Sequence, residues 1–160
     1  MAANPRLQTL SAADLDGLIA ELKQQETSEL LILGPYVELS GNPDEWPEKI
    51  KRFSVVYQLQ QAVPDLVRRL AAVTQLTTLW LVGTDIGAEE VTSLAALTQL
   101  TSLNLYGNEI GAAGAASLAA LSQLTSLDLG FNKIGDAGAA SLAALTQLTS
   151  LNLASNEIGA

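Results

Sequence analysis

The stretch that decides the fold is LTSLNLYGNEIGAAGAASLAALSQ, residues 100–123, because the chain repeats it on both sides. Residues 76–99 read LTTLWLVGTDIGAEEVTSLAALTQ, and residues 124–147 read LTSLDLGFNKIGDAGAASLAALTQ. Residues 148–160 begin the pattern once more as LTSLNLASNEIGA. Self-similarity at a fixed period of 24 residues indicates a repeat architecture, in which one unit of secondary structure is copied and stacked.

Each unit is predicted to hold one short strand and one short helix. Leu103 and Leu105 have the period-2 spacing that places both side chains on one face of a strand. Asn108 follows as a polar residue suited to a tight bend, and Ile110 returns to the interior. In the next unit, residues 136–145 carry apolar positions at helical spacing, which predicts an amphipathic helix.

A unit of this kind cannot bury both of its apolar faces alone, so neighbouring units must stack. Stacking places the strands about 4.8 Å apart in a parallel sheet, with the helices on the other side. The predicted fold class is therefore α/β: a curved solenoid with the sheet on its concave side and short helices on its convex side. Alanine and glycine in the helical half let neighbouring helices approach closely, which is a structural and not a catalytic use of glycine.

The pattern LxxLxLxxN followed by xIGxxGAxxLAxL, over residues 76–160, resembles the leucine-rich repeat family. The helix in every repeat is similar to the ribonuclease-inhibitor-like branch, with shortened repeats. Thr84 departs from the pattern, since the later repeats have Asn there. The resemblance implies a horseshoe-shaped binding module whose relatives are mostly scaffolds for protein partners.

Upstream, subtracting one period from Leu79 and Leu81 gives Val55 and Tyr57, which predicts a degenerate repeat over residues 52–75 with a strand at 54–58 and a helix that begins near Pro64. A second subtraction gives Leu31 and Leu33 as the core positions of an earlier strand. Asn42, Pro43 and Trp46 indicate a turn that leads into a short helix.

Residues 11–25 are predicted to form an N-terminal helix, because Ser11 and Asp14 have N-cap spacing and apolar residues follow on one face. This helix would cover the open end of the solenoid; its acidic polar face argues against a membrane helix. We thus expect one continuous domain with a cap at residues 1–51 and repeats at 52–160. The repeats are 52–75 (degenerate), 76–99, 100–123, 124–147 and 148–160 (partial).

Composition narrows the function. The chain has no His and no Cys, which removes the commonest general base, thiolate chemistry and Cys-zinc sites, so we expect no enzyme, no cofactor and no metal. The net charge of −9 argues against nucleic acid, and every basic residue except Lys133 precedes Leu76. No apolar run is long enough for a membrane span and no signal-peptide core is evident, so a cytoplasmic location is expected.

The candidate binding residues are the side chains between and after the strand leucines, which should lie on the concave face. Trp80 and Tyr106 are expected to be the main anchors, unless they cover each other or the N-terminal segment. The predicted partner-binding set is Trp80, Asn104, Tyr106, Asp128, Phe131 and Asn152. A second row, Asp85, Glu109, Lys133 and Glu157, is expected to be a solvated ladder in which Lys133 can pair with either glutamate.

The function predicted is non-enzymatic binding of a protein partner on the concave face. Two alternatives stay open: a recognition or regulatory fragment of a larger protein, such as a regulator of small GTPases, and a designed or structural repeat array. A homodimer is also expected, because the last predicted strand, 148–153, has a free edge and residues 136–160 expose an apolar flank. The residues expected at this contact are Leu148, Leu151, Leu153 and Ile158.

Overall fold

The computed structural model describes residues 6–39, 47–53, 55–63 and 65–159. Its strands are β1 (Arg6–Leu10), β2 (Glu29–Leu33), β3 (Val55–Leu59), β4 (Thr78–Val82), β5 (Ser102–Asn104), β6 (Ser126–Asp128) and β7 (Ser150–Asn152). Its α-helices are α1 (Leu15–Gln24), α2 (Glu48–Lys51), α3 (Leu66–Leu70), α4 (Ala88–Val91), α5 (Gly111–Leu118) and α6 (Gly135–Ser141). Short 3-10 turns precede α1 and follow α4 and α6.

The strands form one open parallel sheet in the order β1-β3-β2-β4-β5-β6-β7. One face of the sheet packs against α1 and α3 to α6 through a continuous apolar core. We call the opposite face of the sheet the concave face. The predicted fold class is confirmed: a parallel sheet on one side and short helices on the other.

The regular repeats are held together by two sets of buried residues. The leucines of the inner strands, such as Leu103 and Leu105, lie in the core; these two are at most 1% exposed. The bend asparagines form a ladder: Asn132 Nδ2 donates to the carbonyl of Leu105, in the preceding repeat, at 2.8 Å, and to that of Leu129 at 3.1 Å. Its side-chain oxygen accepts the N–H of Ile110 at 3.3 Å. The predicted role of this Asn at the bend therefore extends across the repeat boundary.

Small residues set the spacing of the helix layer. A Cβ built at Gly138 of α6 would lie 2.6 Å from Cγ2 of Ile134 and 3.0 Å from the Cα of Ala112 in α5. Both distances are shorter than side-chain contacts tolerate, so this glycine permits the close approach of α5 and α6.

The N-terminal half differs from a strict repeat in its strand order. Strand β3 does not neighbour β4, as subtraction of one period predicts; it lies between β1 and β2, and β2 pairs with β4. Strand β1, which forms the edge of the sheet, was not predicted from the sequence. The predicted turn at Asn42, Pro43 and Trp46 lies outside the described residues, as do Ser54 and Pro64.

The register of β2 is also shifted by one residue from the prediction. Leu30 pairs with Leu79 and Ile32 with Leu81, so these two residues face the helix-side core. Leu31 and Leu33, predicted to face that core, instead lie on the concave face. Because side chains alternate along a strand, a shift of one residue exchanges the two faces.

The connection from β2 to β3 explains why a buried strand can have two apolar faces. Along the sheet from β1 towards β7, the connection from β2 to β3 moves one position back towards β1, whereas every other connection moves towards β7. Since crossovers between parallel strands are right-handed, a backward step must pass over the opposite face. In agreement, residues 34–39 and 47–53 place apolar side chains over the concave face. We call the group Val37, Leu39, Ile50 and Phe53 the concave cover.

Candidate functional site

The concave face is organised in rows that cross the strands. One row pairs Leu31 of β2 with Trp80 of β4, Trp80 with Asn104 of β5, Asn104 with Asp128 of β6, and Asp128 with Asn152 of β7. The row is apolar where the concave cover lies over it and polar beyond that point. The change from apolar to polar occurs between Trp80 and Asn104.

Trp80 lies at this change. Its ring is partly buried and packs edge-on against Phe53 of the concave cover, with ring centroids 5.2 Å apart. Its indole N–H donates to Ser102 Oγ at 3.4 Å. Trp80 thus packs against the N-terminal segment, which is one of the two roles considered for it, and it also lines the cavity described below.

The polar residues of the row support the backbone that follows them. The side-chain oxygens of Asn104 and Asp128 accept the N–H groups of Tyr106 and Gly130, each at 2.9 Å. Asn152 Nδ2 donates to Asp128 Oδ1 at 3.0 Å. Within the described residues, Asn104 Nδ2 and Asp128 Oδ2 have no hydrogen-bond partner; Asn104 is 8% exposed and Asp128 is half-buried, and both line the cavity described below. Each can therefore bind a group from outside.

Two exposed aromatic residues stand beside this row. Tyr106 is 38% exposed and Phe131 is 53% exposed, and their ring centroids are 5.3 Å apart in a tilted arrangement. The Tyr106 ring lies over Gly130, where a Cβ would be 2.8 Å from its Cδ2 atom. Glycine at this position makes room for the ring close to Asp128.

These elements enclose a cavity of about 300 Å³, which we call the concave groove. Its apolar wall comprises Leu31, Leu33, Val37, Ile50, Trp80 and Val82. Its polar wall comprises Lys49, Asn104, Tyr106, Asp128 and Asn152. The groove brings together all the predicted binding residues except Phe131, which packs on Tyr106 outside it.

Five residues of the groove were not predicted from the sequence: Lys49 and, in the apolar wall, Leu31, Leu33, Val37 and Ile50. Leu31 and Leu33 had been assigned to the helix-side core, and residues 34–51 matched no repeat. The available signal was the unbroken apolar run Leu30 to Leu33, which is typical of a strand buried on both faces.

The second predicted row is solvated, as expected. Lys133 Nζ pairs with Glu109 Oε2 at 2.6 Å, so of its two glutamate neighbours it chooses the one in the preceding repeat. This hydrogen bond, together with the charges of Glu109 and Glu157, raises the pKa of Lys133. An exposed pair of this kind contributes little to stability and indicates no site.

A larger depression, of about 630 Å³, lies between β1 and α1 and is lined by Leu10, Gly17, Glu21 and Tyr57 among others. Burial raises the pKa of the Tyr57 hydroxyl, and the negative charge of Glu21 raises it further. This depression is open and lacks exposed aromatic anchors, so we regard the concave groove as the better candidate. Among the described residues, no group of three or more acidic side chains could hold a metal ion, and no helix is long and apolar enough to cross a membrane.

Comparisons with known proteins identify the class. The family model described as leucine rich repeat matches residues 98–158. Residues 98–158 are thus leucine-rich repeats, as the sequence pattern predicts, and this family suggests a protein–protein interaction module. The assignment to its ribonuclease-inhibitor-like branch stays a prediction.

A solved structure supports the same class. The chain is similar to an internalin (inlF) from Listeria monocytogenes str. 4b F2365, with a TM-score of 0.52 and 28% sequence identity. The match covers 67% of this chain and 37% of the internalin chain, so the chain spans well under two thirds of that protein's length. No curated protein sequence matches the chain significantly.

Proposed function

We propose that the chain is a non-enzymatic interaction module that binds a segment of a partner protein in the concave groove. The observation that carries this proposal is the meeting of three features in one place: an apolar cavity, exposed aromatic side chains, and polar groups with unused hydrogen-bonding capacity. Tyr and Trp are enriched among residues that dominate interface energies, and cavities of this size accept one or two side chains.

The acidic residues do not favour a catalytic alternative. Glu109 and Glu157 are exposed to solvent, whereas acid–base catalysis requires a carboxylate enclosed in a pocket beside the substrate. Among the described residues that line the groove, Asp128 is the only carboxylate, and it serves as an acceptor for the Gly130 N–H. A recognition role is therefore the function that this geometry supports best.

A recognition module of this kind can also form one segment of a longer protein. The chain matches about a third of the internalin chain, and modules of repeats commonly serve as recognition segments. The regulation of small GTPases and a designed repeat array stay hypotheses, for which no described residue supplies a specific observation.

The proposal is tested by selecting ligands from a phage-displayed library of random peptides and measuring their affinities for two matched variants. Tyr106→Ala should weaken binding by about tenfold or more, because it removes an aromatic anchor of the groove. Tyr36→Ala is the control: it removes the same side chain, 93% exposed, at a position outside the groove. Ligands that are insensitive to Tyr106→Ala, or equally sensitive to both changes, would contradict the proposed site.

We also propose that two copies of the 160-residue chain associate through the edge of β7. Leu151 and Ile158 are 44% and 41% exposed. Leu151 lines a cavity of about 370 Å³ together with Leu142, Leu145 and Leu148. An exposed strand edge next to apolar surface favours association. We expect a dimer in sedimentation experiments, and we expect Leu151→Lys but not Ser122→Lys to shift it to monomer. A monomeric wild-type chain at high concentration would overturn this expectation.

A further inference from the structure

The charge and shape of the concave groove specify the partner more closely. Asp128 Oδ1 is occupied by the N–H of Gly130 and the Nδ2 of Asn152, which hold the carboxylate in place. Its Oδ2 has no donor within the described residues. A carboxylate that is positioned in this way, with one oxygen available, is prepared to accept a charge-assisted hydrogen bond.

No cation of the described chain satisfies this carboxylate. In the repeats, Lys133 pairs with Glu109 in the second row, away from the groove. Lys49 lines the groove, but it forms no ion pair with Asp128 among the described residues. The counter-charge of Asp128 must therefore come from solvent or from a ligand.

The aromatic residues beside Asp128 select among possible cations. One edge of the Tyr106 ring, its Cδ2 and Cε2 atoms, lies beside Gly130, whose N–H donates to Asp128, and Phe131 packs on Tyr106 in a tilted arrangement. An exposed tyrosine ring that lines the same groove as a carboxylate favours a planar guanidinium, which can stack on the ring while donating to the oxygen. An ammonium group binds the carboxylate as a point charge without the stacked contact.

We infer that the segment bound in the concave groove presents an arginine to Asp128 and Tyr106, next to an apolar side chain that enters the cavity lined by Leu33, Ile50 and Trp80. This inference rests on the proposed function and specifies its ligand. Asn104 Nδ2, which is available between the two subsites, would donate to a carbonyl of the segment backbone. The acidic character of the chain, with a net charge of −9, attracts such a segment to the surface.

The experiment uses the peptides selected from the phage-displayed library on the wild-type chain. The expected consensus holds an arginine close to a large apolar residue. For one such peptide, replacing arginine by its neutral isostere citrulline should weaken binding to the wild-type chain by about tenfold. The same replacement should matter less than about twofold for Asp128→Asn. That variant keeps an Oδ1 acceptor for the Gly130 N–H, which preserves the fold.

The outcomes separate this inference from the proposed function. Peptides that lose affinity with Tyr106→Ala, but lack a basic residue or bind Asp128→Asn as well as the wild type, would overturn the arginine site and leave the groove as the binding site. Peptides that bind equally well with lysine in place of arginine would overturn the choice of guanidinium. A library that yields no peptide sensitive to Tyr106→Ala would overturn the proposed function itself.

Discussion

The two halves of the concave face are built on the same sheet but differ in what lies over them. In the N-terminal half, Leu31, Leu33 and Val56 are buried beneath the concave cover. In the C-terminal half, Asn104, Asp128 and Asn152 continue one of the same rows without a cover. The row is therefore not a uniform binding surface: half of it is a second small core, and the groove forms where that core ends.

The strand connections account for this difference. Every regular repeat advances one position along the sheet and returns on the helix side, which leaves its concave face open. The connection between β2 and β3 steps backward and must return on the other face. One change in strand order thus creates the apolar wall that the regular repeats lack.

The largest expected effect comes from placing the same charge in both halves of one row. Leu31→Asp buries a carboxylate under the concave cover and should lower the free energy of unfolding by about 4 kcal/mol or more. Asn104→Asp keeps the acceptor for the Tyr106 N–H and should cost about 1 kcal/mol, from repulsion by Asp128. Urea unfolding measures both. Equal costs would mean that the two halves are covered alike.

The bend ladder offers a comparison between a regular and an irregular repeat. Asn132→Ala removes the acceptor of the buried Ile110 N–H and should cost about 3 kcal/mol. It also removes one of the two amide donors to the carbonyls of Leu105 and Leu129, which keep Asn108 and Asn156 as donors. Thr84, at the equivalent position of the first clear repeat, makes a long bond of 3.5 Å to the Leu81 carbonyl and one of 3.2 Å to Asn108 Oδ1. Thr84→Ala should cost about 1 kcal/mol. Thermal unfolding of both variants provides the check, and a larger loss for Thr84→Ala would contradict the ladder's importance.

The two predicted anchors, Trp80 and Tyr106, should differ in how much stability the protein loses when each is replaced by alanine. Trp80→Ala removes a ring that packs on Phe53 and should cost about 2 kcal/mol, less than a fully buried core change such as Leu105→Ala. Tyr106→Ala removes an exposed ring and should cost about 0.5 kcal/mol. If Trp80→Ala destabilises the chain as much as Leu105→Ala, the ring belongs to the core and is no binding anchor.

The smallest expected effect concerns the second row. The folded state raises the pKa of Lys133 through Glu109, so the pair's contribution is fully present below the ordinary lysine value of 10.5 and is lost as the pH rises through the raised value. Lys133→Met should therefore differ slightly from the wild type at pH 7 to 9 and converge with it at higher pH. Melting temperatures across this range, at low and high salt, are the measurement; a difference that grows above the lysine pKa would show the opposite sign.

The regular half of the fold could be predicted in detail from the sequence, whereas the irregular half could not. The leucine and isoleucine positions recur as core residues, and the asparagine position recurs at the bend. Each repeat therefore uses them in the same way. The strands at 29–33 and 55–59 were recognised to within a residue or two. Their order was wrong, whereas Val55 and Tyr57 face the helix-side core as predicted. The facing of the strand at 29–33 was also wrong, because a strand that is apolar on both sides carries no alternation from which its register can be read.

For the candidate site, the sequence identified the residues that project from the concave face, including Trp80, Tyr106 and Asp128. That much follows from the period of two along each strand, which is a local property. The groove itself, with Leu33, Ile50 and Lys49 on its walls, depends on a backward connection between strands far apart in the chain. The repeat sequence determined a solenoid with a polar open face; only the tertiary structure decided where that face is covered, because the path of an irregular connection is set by handedness and packing and not by any repeated pattern.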